Sequence, residues 1–251
     1  MSDSAAHTPP RTTAIEWTDA TWNPVTGCSK VSSGCAHCYA ETLSLRFGWS
    51  KKPWTPENAA ENVILHPERL RKPLLWREPR MVFVNSMSDM FHELVPFDYV
   101  DRVWETMRAT PQHTYQVLTK RPERMLEYAE SREPLRNVWL GTSIENDRHA
   151  FRAGVLSQIK GHVLFVSAEP LLGPLPSLDL YWIDWLIVGG ESGNGHRPMQ
   201  AEWVRDLCDR AAASGTAFFF KQWGGRTPKS GGRELDGREW SEYPGVARVA
   251  A

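Results

Sequence analysis

Between residues 81 and 220 the chain alternates short apolar runs with amphipathic segments, and this alternation limits its folds more than any other feature. Met81-Val82-Phe83-Val84, Tyr115-Gln116-Val117-Leu118, Asn137-Val138-Trp139-Leu140, residues 162–166, 185–188 and 217–220 read as strands. They are nearly continuous in apolar character, as strands covered on both faces are. Helical spacing separates them. Asp98 precedes Val100, Val103, Trp104 and Met107, and residues 122–128, 147–159 and 202–213 repeat the pattern. Upstream, residues 15–24 and 62–65 hold two weaker strands, residues 39–47 read as a helix with Ala40, Leu43 and Phe47 on one face, and Pro67 opens another helix bearing Leu70, Leu74 and Leu75. The sum is roughly eight βα units, an α/β fold that closes as a (β/α) barrel, complete or partly open. An open doubly wound sheet is the alternative.

A second feature is chemical. Cys28, Cys35 and Cys38 lie within eleven residues, spaced C-x6-C-x2-C, with Gly27 and Gly34 directly before the first two. Glycine tolerates the backbone angles of a loop that folds back around a centre. Thiolates this close repel and oxidise unless a soft cation binds them, and zinc or an iron–sulfur cluster would serve. A closed zinc site needs four ligands. His37 is the nearest fourth, but it sits between Cys35 and Cys38, and one short loop can hardly wrap all four around one ion. A cluster with three protein ligands and one open iron suits the count better; a disulfide plus a free thiol is the plain alternative. Cys208 shares a helical face with Val204, Leu207 and Ala211 and reads as a core residue.

In parallel α/β folds function gathers at the carboxyl ends of strands. Here those ends carry Asn85 to Asp89, with His92 and Glu93 just beyond; Thr119, Lys120 and Arg121; Ser143, Glu145 and Asn146; Ser167 and Glu169; Gly189, Gly190, Glu191 and Arg197; and Lys221. Any one of them could be an ordinary loop polar group or a helix cap. Together they point to a shared polar cleft that also takes in the cysteine loop. Asn85, Lys120, Arg121, Ser143, Glu145 and Glu191 are its candidate cofactor-binding residues, and Glu169 and Lys221 its candidate catalytic pair. His92, His162 and His196 have no paired metal-ligand spacing and read as surface or supporting residues.

Composition limits the partners. Lys and Arg number 29 against 30 Asp and Glu, a net charge of −1, so no global positive field announces nucleic acid, though a local basic cleft stays open. The 12 tryptophans suit a core or a cleft lining. No apolar run approaches the ~20 residues of a membrane span, and reduced cysteines suit the cytoplasm. Residues 1–13 are expected to be a disordered tail and 14–223 one barrel domain. Residues 224–251 would form an appendage, with a hairpin turning at Asp236-Gly237 over one end of the barrel.

Several segments resemble the phage Gp37/Gp68-like proteins: Trp22-Asn23-Pro24-Val25-Thr26-Gly27-Cys28, Cys35-Ala36-His37-Cys38-Tyr39-Ala40-Glu41, Val84 to His92, Thr119-Lys120-Arg121-Pro122, Val188 to Gly193 and Lys221-Gln222-Trp223-Gly224. The resemblance spans about residues 14–244. That family looks like a divergent branch of the radical S-adenosylmethionine (SAM) enzymes. It implies a [4Fe–4S] cluster on Cys28, Cys35 and Cys38 whose open iron binds SAM, and an electron donor to start radical chemistry. Lys120 or Arg121 would meet the SAM carboxylate, and the Gly141 to Glu145 segment would meet SAM. The superfamily's first cysteine gap is three residues where this chain has six, and its Gly-Gly-Glu element follows an early strand rather than a late one. A nucleic acid or nucleotide is the substrate class expected. The other readings are a zinc or non-SAM iron–sulfur protein that binds nucleic acid with a partner protein, and a metal-free barrel hydrolase using Glu145, Glu169 or Glu191.

Overall fold

The computed structural model describes residues 11–245. One sheet runs through it: β1 (Ala20–Trp22), β2 (Met81–Val84), β3 (Thr114–Thr119), β4 (Val138–Ser143), β5 (Val163–Ala168), β6 (Trp185–Gly189) and β7 (Ala217–Gln222). The seven strands lie in chain order and every neighbouring pair is parallel. A doubly wound sheet would reverse its order at a switch point, so that alternative falls. Besides the single turn Ala59–Asn62, the helices among the described residues are α1 (Tyr39–Arg46), α2 (Phe97–Arg108), α3 (Pro122–Ala129), α4 (Phe151–Leu156) and α5 (Ala201–Ser214).

The sheet curls strongly, and aromatic contacts measure the curl. Trp17, just before β1, lies 4.7 Å from the Phe83 ring of β2 and only 6.1 Å from the Trp185 ring of β6. In a flat sheet five strand spacings would separate β1 from β6 by about 24 Å. The concave face is a second core of Trp17, Phe83, Phe165, Trp185, Ile187 and Phe219, with Trp139 packed against it. Alternate residues on the same strands, such as Val82, Val117, Leu140, Val166 and Leu186, join the main core on the convex face. Strands this apolar are explained by two buried faces. Three of the tryptophans, Trp17, Trp139 and Trp185, thus plug the inside of the curl or flank it.

Among the described residues β1 and β7 do not pair, so the sheet is a half-barrel and the ring is open. The chain after the C-terminal hairpin attends to one edge. Glu234–Leu235 pairs antiparallel with Arg238–Glu239, with Asp236 and Gly237 at positive φ in the turn. Phe219 then bridges antiparallel to Ser241 beside β7. Residues 240–242 of the appendage therefore run along the outer edge of β7 and shield it from further pairing, while the hairpin before them meets Trp223 just beyond the carboxyl end of that strand.

Other expectations need correction. Residues 67–76 form only the short turns Pro67–Arg69 and Pro73–Leu75, because Pro73 interrupts a continuous helix. Leu74 and Leu75 are exposed. Residues 147–159 split into the turn Asp147–His149 and α4. In α1 the buried residues are Ala40, Glu41 and Ser44, while Phe47 is out in solvent. Glu41 turns inward because Lys30 pairs with it at 2.9 Å and the Trp54 amide donates to it at 2.8 Å. Residues 1–10 of the expected tail, and 246–251 of the appendage, lie outside the described residues. No helix among those described is long and apolar enough to cross a membrane.

Candidate functional site

The cysteine loop leaves the carboxyl end of β1. Val25–Thr26 pairs antiparallel with Ile64–Leu65, and Gly27 follows at φ +81°. A Cβ on Gly27 would stand 1.8 Å from the Asn62 carbonyl oxygen. Only glycine fits this crossing, and the Gly27 amide donates to the Met87 carbonyl at 2.9 Å. From there the loop runs over the carboxyl ends of the later strands, and side chains from four strand ends hold it.

Arg121, beyond β3, holds its first turn. Nη2 donates to the Ser29 carbonyl at 3.3 Å and to Ser29 Oγ at 3.1 Å, and Nη1 lies 3.7 Å from Cys28 Sγ. Its other donors reach Asp89 Oδ2 at 3.2 Å and Glu93 Oε1 at 2.9 Å. Asp89 is buried and orders this corner, also accepting from Thr119 Oγ1 and from the amides of Phe91 and Lys120. Buried His92 accepts the Leu94 amide on Nδ1, which leaves Nε2 to donate to Ser29 Oγ at 2.9 Å.

Glu145, beyond β4, holds the middle. It is fully buried, accepts the Gly34 amide on Oε1 at 3.2 Å and receives Arg152 on Oε2 at 3.2 Å. Burial would raise its pKa. The Ser32 hydroxyl, Lys120, the Gly34 amide and Arg152 together bring it below the ordinary value. Glu191, beyond β6, holds the far side. Arg197 forks onto both of its oxygens and reaches the Ser33 carbonyl, while His37 Nδ1 sits 2.9 Å from Oε2. Burial opposes ionisation here too, but Arg197 and His37 win, and the Glu191 pKa falls to about 2. At β2, the Tyr39 hydroxyl donates to the Ser86 carbonyl at 2.6 Å.

The three cysteines are free and partly buried. Burial, then Asp89, pushes the Cys28 thiol up to about 12 against the pull of Arg121. Burial also raises Cys38, with Lys120 among the opposing influences, and charge on Cys35 would raise both. Cys28 and Cys38 therefore both sense Cys35. Among the described residues no three His, Cys, Asp or Glu side chains converge as a metal site. The trio shares one clamped loop, and its number and softness suit an iron–sulfur cluster; binding one would displace protons and draw the sulfurs together.

Beneath the loop, residues that continue the concave rows of β5 and β7 turn polar. Lys221 Nζ pairs with Glu169 Oε1 at 2.8 Å, and Ser167 Oγ donates to Glu169 Oε2 at 3.1 Å. Gly189 leaves room for that carboxylate, since its Cβ would lie 2.6 Å from Glu169 Oε1. Ser143 is buried at the end of β4, and its carbonyl accepts Arg152. Two donors stand out. Asn85 sits at φ +60°, is 2% exposed and accepts the Val25 amide on Oδ1, while its Nδ2 has no partner among the described residues. Lys120 is partly buried and lowers the pKa of both Cys38 and Glu145, yet its ammonium makes no hydrogen bond or ion pair among the described residues.

Of the residues singled out in the sequence, Arg121, Glu145 and Glu191 therefore spend their polar atoms on the cysteine loop or its supports. Lys120 and Asn85 have donors to spare, and Glu169 and Lys221 pair with each other. Sequence reasoning gave no role to Asp89, Ser29 or Arg197. Asp89 and Arg197 stand in the strand-end segments and could have been flagged as partners for Arg121 and Glu191. Cys208 is buried in α5 within the main core. His162 caps the Val138 carbonyl at 2.9 Å near the start of β5, and His196 is exposed.

Fold and site together define a parallel α/β half-barrel with a clamped three-cysteine loop across its carboxyl mouth. Residues 12–244 match the family described as "Protein of unknown function (DUF5131)", and the chain belongs to that family. No curated protein and no solved structure matches it.

Proposed function

We propose that the protein is a radical SAM-like iron–sulfur enzyme, its half-barrel a partly open version of the barrel such enzymes use. The observation that carries this reading is the loop itself. Three free thiols are held over the carboxyl mouth of a curled parallel sheet by side chains from four strand ends, near two donors, Lys120 and Asn85, with no partner among the described residues. Cys28, Cys35 and Cys38 would hold a [4Fe–4S] cluster, which with bound SAM would supply one-electron reductive cleavage to a 5′-deoxyadenosyl radical. Arg121, Glu145 and Glu191 fix the loop. Lys120 and the Asn85 amide would bind the carboxylate or another acceptor of SAM. Glu169 and Lys221 would orient a polar substrate or move a proton. An electron donor is required, and a nucleic acid or nucleotide is the proposed substrate class.

The metal-free hydrolase reading loses ground on charge. A general acid needs a raised pKa, whereas Glu145 and Glu191 are both held as anions by their partners. The deciding experiment is anaerobic reconstitution with iron and sulfide, followed by SAM and a reductant. 5′-Deoxyadenosine should form, and its absence from a cluster-loaded protein would move the reading to a non-SAM iron–sulfur role.

A further inference from the structure

We propose that the C-terminal turn of α1 is a stacking platform for single-stranded nucleic acid. The turn is built to present aromatic rings to solvent. Gly48 takes φ +69°, its amide donates to the Leu45 carbonyl, and the Trp49 amide donates to the Ser44 carbonyl. This pair of bonds closes the helix in the glycine-ended manner that usually lays an apolar residue back on the last turn. Here the position that would receive Trp49 is Ser44, which is buried and offers no apolar surface. Trp49 stacks instead against Phe47, with ring centroids 5.2 Å apart and planes 30° from parallel. Phe47 is still 56% exposed and Trp49 61%.

Cations flank the rings in sequence, and one lies over a ring. Arg46 lies 5.6 Å over the Phe47 ring, and Lys51 and Lys52 are exposed on the following residues. The acid of the same helix, Glu41, is buried under Lys30, and Lys52 carries one ion pair, to Glu61. A protein-docking face would spread apolar area inside a polar rim. Two exposed rings, one under Arg46, with exposed Lys51 and Lys52 next along the chain, match bases and phosphates better, because every base offers a face to stack and every nucleotide a negative charge. The eight residues of α1, at about 1.5 Å each, place the platform about 12 Å from Cys38. A strand held there lies beside the cysteine loop. Binding requires neither cluster nor SAM, so failure of this proposal leaves the cluster reading standing, and the reverse holds as well.

The test uses the full-length chain, prepared without iron, and fluorescence anisotropy of labelled oligouridine, oligothymidine and a duplex of equal length. The single strands should bind and the duplex should bind more weakly. Trp49→Ala and Phe47→Ala should each weaken single-strand binding by about five- to a hundred-fold, the range of one lost stacking contact. The plot of log affinity against log salt should slope at about −2 for three phosphate contacts, and Lys51→Gln should flatten it by about 0.7. Circular dichroism of these surface variants should match the parent chain. The proposal is overturned by absent single-strand binding at low salt, by equal affinity for duplex, or by aromatic variants that bind as the parent does. A dimer dissolved by Trp49→Ala, without oligonucleotide binding, would assign the patch to a second copy and overturn it as well.

Discussion

Replacing Arg121 by Met removes the clamp that ties the first cysteine to the sheet. The side chain is 7% exposed and reaches Asp89, Glu93, the Ser29 carbonyl, Ser29 Oγ and Cys28 Sγ. Breaking a buried ion pair by removing one partner costs about 3–5 kcal/mol. Two features place this case at the lower end. Asp89 keeps the Thr119 hydroxyl and the amides of Phe91 and Lys120, and Glu93, 64% exposed, returns to water. The Ser29 carbonyl loses both guanidinium and burial compensation, an added cost of about 1 kcal/mol. Met recovers part of this by packing, leaving a net loss of about 3 kcal/mol. For a chain of this size that is about 6–12 °C in Tm. Thermal unfolding of the reduced, metal-free protein would read it. Amide hydrogen exchange should quicken across residues 28–38 and stay slow in β5 and β6. Arg121→Lys should recover little, because an ammonium cannot span acceptors laid out for a planar fork. A Tm within about 1 °C of the parent, with unchanged exchange in the loop, would refute the clamp.

Further outcomes follow from the same geometry. Lys120→Met should weaken SAM binding by about 1.5–3 kcal/mol, one charged hydrogen bond, with iron content unchanged; calorimetry on the reconstituted protein checks this, and parent-like affinity would remove Lys120 from the site. Glu191 has a folded pKa lowered from 4.5 to about 2, so its contribution to stability is complete above about pH 4.5 and fades as pH falls toward 2. Acid denaturation of Glu191→Gln should lack that limb, and a variant with the parent's pH profile would show that Arg197 and His37 do not hold the carboxylate.

Much of this architecture is written in local sequence. The strands from Met81 onward were legible because burial on both faces demands unbroken apolar runs, and the cysteine loop because thiol spacing has few uses. The strand-end residues were legible as a group, since parallel order brings every such end to one rim. Their individual jobs were not. Whether Arg121 faces a cofactor or Ser29 depends on how far the loop from β1 extends over β3, a contact across 92 residues of chain. Likewise apolar spacing groups Phe47 with Ala40 and Leu43, but the orientation of α1 is set by Lys30 and Trp54 holding Glu41 inward, and apolar spacing carries no sign of that. The curl of the sheet rests on Trp17 meeting Trp185, again a pairing that no short window contains. Pro73 is a stop signal visible in the sequence, since its ring and missing amide end the turn begun at Pro67.

The central claim is that Cys28, Cys35 and Cys38 together hold one iron–sulfur cluster. Iron and acid-labile sulfide, measured after anaerobic reconstitution of four single Cys→Ala variants, test it most directly. Replacement of Cys28, Cys35 or Cys38 should each abolish most of the iron and the brown absorbance, while Cys208→Ala should retain both. Equal behaviour of all four variants, or zinc in place of iron in anaerobically prepared protein, would contradict it.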